Sequence, residues 1–188
     1  MANEDKKDFN AMLHNVKDMP RIQIVTDEAT IKKYGGDRMY FAPPAAYDEL
    51  MKKIPPGRVI TVGAIRKYLA KENNADFTEP ITAGFFVSIA AWASHQRSGD
   101  ETPYWRTLKA NGELNAKYPG DVEAQKEMLE KEGHTVVQKG RTNIRYYVKD
   151  YEHVLFKCFW NRMFSHASSL PICLVWFTRR NMNIARIR

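Results

Sequence analysis

The chain has 188 residues, of which 44% are hydrophobic and 27% are charged, which is the composition of a soluble globular protein. This length allows one domain with a real core and is too short for two full domains. The N-terminus lacks the apolar segment of a signal peptide, and the longest apolar run, LPICLVWF, is far shorter than a membrane helix requires. We therefore expect a cytoplasmic protein that does not associate with a membrane.

The net charge of +7 is distributed unevenly along the chain. Residues 157–188 contain one lysine, five arginines and no acidic residue, which leaves a net charge of +1 for residues 1–156. Because the body of the protein is nearly neutral, a nucleic-acid-binding face has to be a local patch of cations.

Both cysteines, Cys158 and Cys173, lie in this basic tail. In a cytoplasmic protein such a pair is expected to remain as free thiols. Neither cysteine has a neighbouring cluster of the kind that binds zinc, so we expect no metal and no other cofactor.

The first 51 residues predict an N-terminal extension built from short helices and strands. The segments alternate between helical spacing of apolar residues and strand-like alternation, and they are separated by Gly and Pro. In chain order they are one short amphipathic helix within 1–19, a strand at 21–25, a helical turn at 27–36, and a helix after Pro44 that ends before Pro55.

Residues 52–133 contain two predicted helices, a loop segment and a third helix. Thr61 is a candidate N-cap for the first helix, which carries Ile65 and Leu69 on one face. The second helix, ITAGFFVSIAAWASHQ, is nearly uncharged and rich in small residues, which permits close packing or the close approach of a ligand. The loop segment TPYWRTLKANGEL carries an Asn-Gly pair that predicts a hairpin, and the third helix begins at Asp121 and ends at Gly133.

Residues 134–156 predict a β-hairpin that completes the domain. This order of elements favours an α+β fold, a winged helix-turn-helix, in which the second helix enters a groove of DNA and the wing and preceding loop approach the backbone. Other short α+β domains share the same order, so the pattern alone leaves the fold open. The tail at 157–188 has two interpretations: an extension that is not native to the fold, or a C-terminal element that covers the core.

IPPGRVITVGAI, residues 54–65, resembles the segment that opens the DNA-binding domain of the methylguanine-DNA methyltransferases. That family continues with a helix of the type Arg-Ala-Val-Gly-x-Ala, then Pro-Cys-His-Arg-Val, a turn with glycine, and a helix that ends in Glu-Gly. The corresponding segments here are FFVSIAA, PYWRT, KANGEL and MLEKEG, so the resemblance covers residues 52–133 and matches Glu132 to the family's glutamate.

The family transfers an alkyl group to a cysteine thiolate that an adjacent base activates. This chain has Tyr104 at the acceptor position and Trp105 at the position of the base. A phenol with a pKa near 10 and no neighbouring histidine is a poor nucleophile, and Cys158 and Cys173 lie far along the chain. We expect no alkyl transfer and assign no catalytic residue.

In this respect the chain resembles a cysteine-less branch of the family, the alkyltransferase-like proteins. The resemblance implies a DNA-repair-related protein that flips an alkylated or modified guanine out of the duplex and holds it without transfer. The implied partners are double-stranded DNA and nucleotide excision repair proteins, and we expect a monomer. The alternative is a winged-helix interaction module or regulator that binds a protein partner or undamaged DNA.

The resemblance also implies three groups of site residues. The candidates for a base pocket are Pro103, Tyr104, Trp105 and Arg106, although the aromatic pair is equally suited to packing the loop against the last helix. The family has an arginine that fills the space left in the base stack by the flipped base, and Phe85 or Phe86 stands at that position here. This phenylalanine is either an apolar wedge or an ordinary core residue. We expect contacts to the DNA backbone from Thr61, Arg58, Arg66, Lys67 and Lys109. The alternative is that these side chains are ordinary solvated surface.

Overall fold

The structure, a computed structural model, describes residue 4 and residues 6–157 of the chain. The predicted tail, with Cys158 and Cys173, lies outside the described residues from position 158 onward. The described residues up to Phe156 form one compact unit with a mixed α+β fold, so the expected α+β class is confirmed.

The N-terminal segment forms the predicted alternation of short elements. Asp8 caps the first helix by accepting from the Ala11 amide at 2.8 Å, and Asp27 caps the second through the Thr30 amide at the same distance. Gly35 ends the second helix with a left-handed φ of 83°. The elements are α1 (Phe9–His14), β1 (Arg21–Ile24), α2 (Glu28–Tyr34), β2 (Arg38–Phe41) and α3 (Pro44–Lys52).

A mixed three-stranded sheet joins this segment to the middle of the chain. β2 pairs antiparallel with β1 and parallel with β4 (Phe77–Thr78). The sequence predicts a polar turn at residues 73–80, and this prediction is wrong for β4. A two-residue strand is too short to show alternation, and it forms because the Asp76 and Glu79 amides on either side of it donate to the carbonyls of Arg38 and Tyr40 in β2.

The next two helices are α4 (Val62–Glu72) and α5 (Pro80–Gln96), which confirms the two helices predicted in the first part of residues 52–133. Thr61 is the N-cap of α4, and its hydroxyl oxygen accepts from the Ala64 amide at 3.2 Å. The small residues of α5 let it lie at the centre of the fold, where α1, α3 and α4 all pack against it. Several of its alanines are fully buried.

The predicted Asn-Gly hairpin is only partly correct. Asn111 and Gly112 form a tight turn with φ angles of 57° and 77°. The strand before the turn, β5 (Thr107–Leu108), pairs in parallel with β3 (Ile60–Thr61). The Lys109 amide donates to the carbonyl of Glu113 at 2.8 Å, which closes the turn directly after β5. The Leu114 amide then donates to the carbonyl of Tyr146, so the chain continues beside the C-terminal hairpin.

The last helix and the C-terminal hairpin match the prediction. α6 (Asp121–Lys131) ends just before Gly133, whose φ is 86°. β6 (Val136–Lys139) and β7 (Arg145–Val148) form an antiparallel pair. None of the described helices combines the length and apolar character that crossing a bilayer requires.

Candidate nucleic-acid interface

Residues Tyr104–Arg106 form a single 3-10 turn that contacts α3, α5 and α6. The Tyr104 amide donates to the carbonyl of Thr102 at 2.7 Å, and the Arg106 amide donates to that of Pro103 at 3.1 Å. Of the four residues predicted to line a base pocket, Pro103 and Arg106 are buried, and Tyr104 and Trp105 are half-buried. The turn is therefore part of the packed structure, with only its aromatic rings partly accessible.

Arg106 is held by a carboxylate and a backbone carbonyl. Its Nε lies 2.9 and 3.0 Å from the two carboxylate oxygens of Glu132, and its Nη2 lies 2.7 Å from Oε1. Nη1 donates to the carbonyl of Ile54 at 2.5 Å. All three guanidinium nitrogens are thus engaged, so Arg106 orients the loop and is not free to reach a ligand.

Trp105 is tied to the same carboxylate. Its indole Nε1 donates to Glu132 Oε1 at 2.8 Å, and its backbone carbonyl accepts from Gln125 Nε2 at 2.9 Å. Glu132 Oε2 also accepts from the amide of Gly57 at 3.1 Å. Glu132 therefore joins the opening segment of the domain, the aromatic loop and the end of α6.

The hydrogen bonds fix the ionisation of Glu132. Burial of the side chain raises its pKa, but the donors on Arg106, Trp105 and Gly57 outweigh this and hold the pKa below its usual range. The carboxylate is charged at neutral pH, as its salt bridge with Arg106 requires.

Tyr104 is the member of the loop whose ring is not fixed by a hydrogen bond. Its ring lies edge-on to Trp105 at a centroid distance of 5.5 Å, and edge-on to Tyr118 at 5.5 Å. Within the described residues its hydroxyl forms no hydrogen bond. Burial, with a smaller contribution from Glu101, raises the pKa of the phenol, so Tyr104 is neutral at physiological pH.

The two candidate wedge residues on α5 differ in their surroundings. Phe85 is 57% exposed, whereas Phe86 is half-buried with its ring 5.7 Å from that of Tyr47. Ile81, one turn before Phe85, is 86% exposed. α5 therefore presents an apolar face to solvent at Ile81 and Phe85, while Phe86 packs against the buried Tyr47.

A cavity of about 430 Å³ lies beside this face. Phe85, Ser88 and Trp92 of α5 line it, together with Phe9 of α1 and Tyr118 from the loop before α6. The rings of Phe9 and Trp92 are stacked at 5.6 Å, so α1 forms part of the cavity wall. The sequence did not indicate this role of α1, because a six-residue amphipathic helix does not reveal what it packs against.

The residues predicted to contact the DNA backbone differ in their exposure and in their hydrogen-bond partners. Arg58 and Lys67 are exposed, but Lys109 is paired with Glu113. Arg66 is half-buried, and its Nη2 donates to the carbonyl of Thr78 at 3.0 Å. Thr61 uses its hydroxyl oxygen to cap α4, which leaves its O–H free to donate.

A buried polar cluster supports the loop from the N-terminal side. Asp48 of α3 is 4% exposed and accepts from Arg97 Nη1 and Nη2, each at 3.2 Å, and from Thr102 Oγ1 at 2.5 Å. The Thr102 amide donates to Ser94 Oγ at 2.8 Å. These bonds fix the segment that leads into Tyr104. The sequence contains one signal of this role, an aspartate among the buried apolar positions of α3.

Among the described residues, no group of three or more His, Cys, Asp or Glu side chains is placed to hold a metal ion. The fold and the site define a mixed α+β protein in which an exposed apolar helix face lies beside an aromatic loop anchored on a buried glutamate. In this loop Trp105 Nε1 is a hydrogen-bond donor, and Tyr104 is a neutral phenol.

No protein-family model and no curated protein sequence matches the chain. Solved structures similar to it include S. pombe ATL in complex with DNA, at 20% identity and a TM-score of 0.43. Another is S. pombe Atl1 in complex with damaged DNA containing O6-carboxymethylguanine, at 19% identity and a TM-score of 0.40. Each match covers 61% of this chain and 94% of the solved chain. These neighbours are alkyltransferase-like proteins, the class that the sequence resembles, but likeness at this level does not assign a function.

Proposed function

We propose that the chain is a non-catalytic, DNA-repair-related protein that binds duplex DNA and recognises an alkylated or modified guanine by base flipping. The observation that carries the proposal is the placement of Phe85, which is exposed and lines a cavity whose other wall, Tyr118, contacts the ring of Tyr104. Base flipping requires both a wedge for the vacated stack and an apolar or aromatic site for the extruded base. The two features lie next to each other here.

In this proposal α4 and α5 act as the helix-turn-helix of a winged-helix domain, and α5 is the helix that enters the groove. The exposed face at Ile81 and Phe85 supports this assignment, because it carries no charge that would have to be desolvated on approaching the bases. The β6–β7 hairpin corresponds to the wing.

The aromatic loop supplies a surface on which a base can stack. Tyr104 lies edge-on to both Trp105 and Tyr118, which leaves its ring supported from two sides. The neighbouring cavity is lined by Tyr118 and not by residues 103–106, and its volume of about 430 Å³ falls in the usual range for sites that bind small organic groups, about 300–1,000 Å³. Glu132 and Asp48 hold the loop in place before a ligand arrives, which reduces the cost of ordering it on binding.

The same geometry supports binding without transfer. Displacement at an alkyl carbon needs an ionised nucleophile, and burial raises the pKa of Tyr104 and so disfavours its phenolate. Glu132, the nearest carboxylate to Trp105, is already engaged by Arg106. A modified base that is held without a chemical reaction has to be repaired by another system, such as nucleotide excision repair. We propose that the protein binds the modified DNA as a monomer.

A paired titration tests the proposal. We expect the protein to bind a duplex containing one alkylated guanine more tightly than the same unmodified duplex at matched salt. Phe85→Ala should reduce this preference, because the vacated stack loses its wedge, while Ile24→Ala, at an equally exposed site on β1, should leave it unchanged. Equal affinity of the wild-type protein for both duplexes would rule out lesion recognition. Transfer of a labelled methyl group from DNA to the protein would instead contradict the non-catalytic assignment.

A second candidate function is an interaction module that binds a protein partner or undamaged DNA. The exposure of Ile81 and Phe85 favours it, since exposed apolar pairs on one helix face are common at protein interfaces. The nearly neutral charge of residues 1–156 points the same way. Equal binding of the two duplexes, or no binding of either, would favour this function over lesion recognition.

A further inference from the structure

We propose that the outer side of β1 binds an extended peptide segment of a partner protein, which adds to the sheet as an antiparallel fourth strand. We call this surface, formed by Arg21–Ile24, the β1 edge. It shares no residue with the candidate nucleic-acid interface, so the inference does not depend on DNA binding. Strand addition of this kind takes its affinity from main-chain hydrogen bonds and its selectivity from alternate side chains.

The sheet leaves one side of β1 unpaired. The strand order is β1-β2-β4, so β1 is a terminal strand, and all four of its residues are exposed. Within the described residues, no hydrogen bond from outside this sheet reaches the main chain of Ile22 or Ile24. An unpaired edge is a template on which another strand can form hydrogen bonds.

The phase of the β1–β2 ladder determines which main-chain groups face outward. The Val25 amide donates to the carbonyl of Asp37 at 2.8 Å, and this pair continues the register of the ladder. Hydrogen-bonded and non-hydrogen-bonded pairs alternate along antiparallel strands. Gln23 is therefore bonded to β2, whereas the N–H and C=O groups of Ile22 and Ile24 are directed away from β2.

The hydrogen bonds on the other side of β2 agree with this phase. Arg38 lies opposite Ile24, and Tyr40 lies opposite Ile22. The carbonyls of Arg38 and Tyr40 accept from amides on either side of β4, each at 2.9 Å, so they point away from β1. Because both partners of a non-hydrogen-bonded pair point outward, the β1 edge presents two N–H and two C=O groups. Equivalent groups are about 7 Å apart, which is the spacing of alternate residues in a strand.

The side chains of the β1 edge do not oppose pairing. Ile22 and Ile24 are 40% and 55% exposed, and they project from one face of the sheet because they are two residues apart. The one charged residue of the strand, Arg21, is paired with Asp18 and has its guanidinium carbon 4.6 Å from the centre of the Phe41 ring. Edge strands that avoid pairing usually carry free charges, a proline or a bulge. The continuous register of Arg21–Ile24 contains no bulge and no proline.

A peptide fits this edge better than a second copy of the chain does. Pairing of β1 with its own copy would join two strands of four residues, each about 14 Å long. Stable associations between folded proteins bury about 1,200–2,000 Å² in total, which a contact of this length does not reach. An extended peptide needs only the strand itself, since no second folded surface has to be accommodated.

The register also predicts the kind of sequence that fits. The two peptide residues opposite Ile22 and Ile24 exchange main-chain hydrogen bonds with them, and their side chains lie on the same face as the isoleucines. The peptide residue between them lies opposite Gln23, which is exposed, so a polar side chain suits that position. The expected partner is an extended segment with β-branched apolar residues at two alternate positions and a polar residue between them.

The probe is a synthetic peptide of sequence KTVTVTK, whose two valines would lie opposite Ile22 and Ile24. Addition of this peptide to the isotope-labelled full chain, without DNA, should shift the amide NMR signals of Ile22 and Ile24 in a saturable way. The amides of Gln23 and Val25 are bonded to β2 and should shift less.

Methylated peptides test the main-chain hydrogen bonds in the unaltered protein. Methylation of both valine nitrogens removes two donors and should weaken binding at least about tenfold, because each hydrogen bond contributes about 0.5–1.5 kcal/mol. Methylation of the central threonine nitrogen, which points away from β1, is the matched control and should change the affinity by less than about twofold.

A protein variant tests the same edge from the other side. Ile24→Pro removes one outward N–H without removing a bond to β2, and proline is tolerated on an edge strand where its N–H faces solvent. We expect this variant to bind the unmethylated peptide at least about fivefold more weakly. Ile144→Ala shortens a side chain that is 51% exposed between β6 and β7, and it should bind the peptide as the wild type does.

Each of three results would overturn the inference. The first is equal affinity for the unmethylated and the doubly methylated peptide. The second is the absence of saturable shifts at Ile22 and Ile24. The third is a shift of these two amides with protein concentration alone, which would show that a second copy occupies the edge. None of these results bears on lesion recognition, which is measured with duplex DNA.

Discussion

At Glu132 a single carboxylate accepts hydrogen bonds from the adjacent residues Trp105 and Arg106 and from the backbone amide of Gly57, all of them far from Glu132 in the chain. The side chains of Glu132 and Arg106 are only 13% and 11% exposed, so their charges are largely shielded from water. Removing either partner leaves the other as an uncompensated buried charge. This residue, which the resemblance matched but did not explain, decides how the aromatic loop is oriented.

We expect Arg106→Ala and Glu132→Ala each to lower the free energy of unfolding by about 3 kcal/mol. Urea denaturation followed by tryptophan fluorescence would measure this. The control is Lys131→Ala, which breaks the exposed pair with Glu127 and should change the stability by less than about 0.5 kcal/mol. Similar values for Arg106→Ala and Lys131→Ala would show that the buried pair does not stabilise the loop.

The pH dependence of stability should have two separate windows. Burial lowers the pKa of His134 in the folded protein; the charge of Glu132 opposes this effect, and the charge of Arg106 adds to it. The unfolded state then binds more protons than the folded state, so stability is lost as the pH falls below about 6.5. Glu132 and Glu79 also have lowered pKa values, because hydrogen bonds outweigh the effect of burial, and they contribute a further loss below about pH 4.5.

Unfolding free energies measured between pH 3 and pH 8 would test this. We expect His134→Gln to remove the decline between about pH 7 and pH 5 while leaving the acid decline in place. Glu132→Gln should weaken the decline below pH 4.5. A stability profile of His134→Gln that parallels the wild type from pH 7 to pH 5 would contradict the first assignment.

At the scale of elements, α3 holds the segment that leads into the aromatic loop. Asp48 accepts hydrogen bonds from Arg97 and Thr102, and Lys52 lies 3.2 Å from the same carboxylate. Since these contacts connect α3 to the residues just after α5, Asp48 fixes the loop at this end and Glu132 fixes it at the other.

We expect Asp48→Ala to lower the free energy of unfolding by about 3 kcal/mol and to increase amide exchange across residues 97–103. Asp100→Asn is the control, because its carboxylate also pairs with Lys52 but is 75% exposed, and asparagine tolerates the left-handed φ of 51° at this position. That variant should cost less than about 1 kcal/mol. Unchanged amide exchange in folded Asp48→Ala would show that the cluster does not order the loop.

The elements that the sequence predicts well are those with local signals. Thr61 before an amphipathic stretch marks the start of α4, and Gly133 marks the end of α6, because capping and left-handed conformations depend on neighbouring residues. The partners of short strands have no such signal. The parallel pairing of β5 with β3, and of β4 with β2, is set by packing between segments far apart in the chain.

At the scale of the whole molecule, the candidate interface combines parts that the sequence does not connect. The resemblance located Tyr104 and Trp105, and the exposure of Phe85 distinguishes it from Phe86. The contribution of α1 to the cavity and of Asp48 to the loop depends on tertiary contacts, which a single sequence without pairing information does not reveal. The site therefore rests on the N-terminal extension as well as on residues 52–133.

In the proposed function the ring of Tyr104 helps to hold an extruded base, and removal of this ring should therefore lower the preference for the modified duplex. The measurement is the ratio of affinities for modified and unmodified duplex, at one salt concentration, for the wild type, Tyr104→Ala and Tyr104→Phe. Because stacking of a base on an aromatic ring contributes about 1–3 kcal/mol, we expect Tyr104→Ala to reduce the ratio at least about fivefold, while Tyr104→Phe retains it. A ratio in folded Tyr104→Ala equal to that of the wild type would contradict the claim.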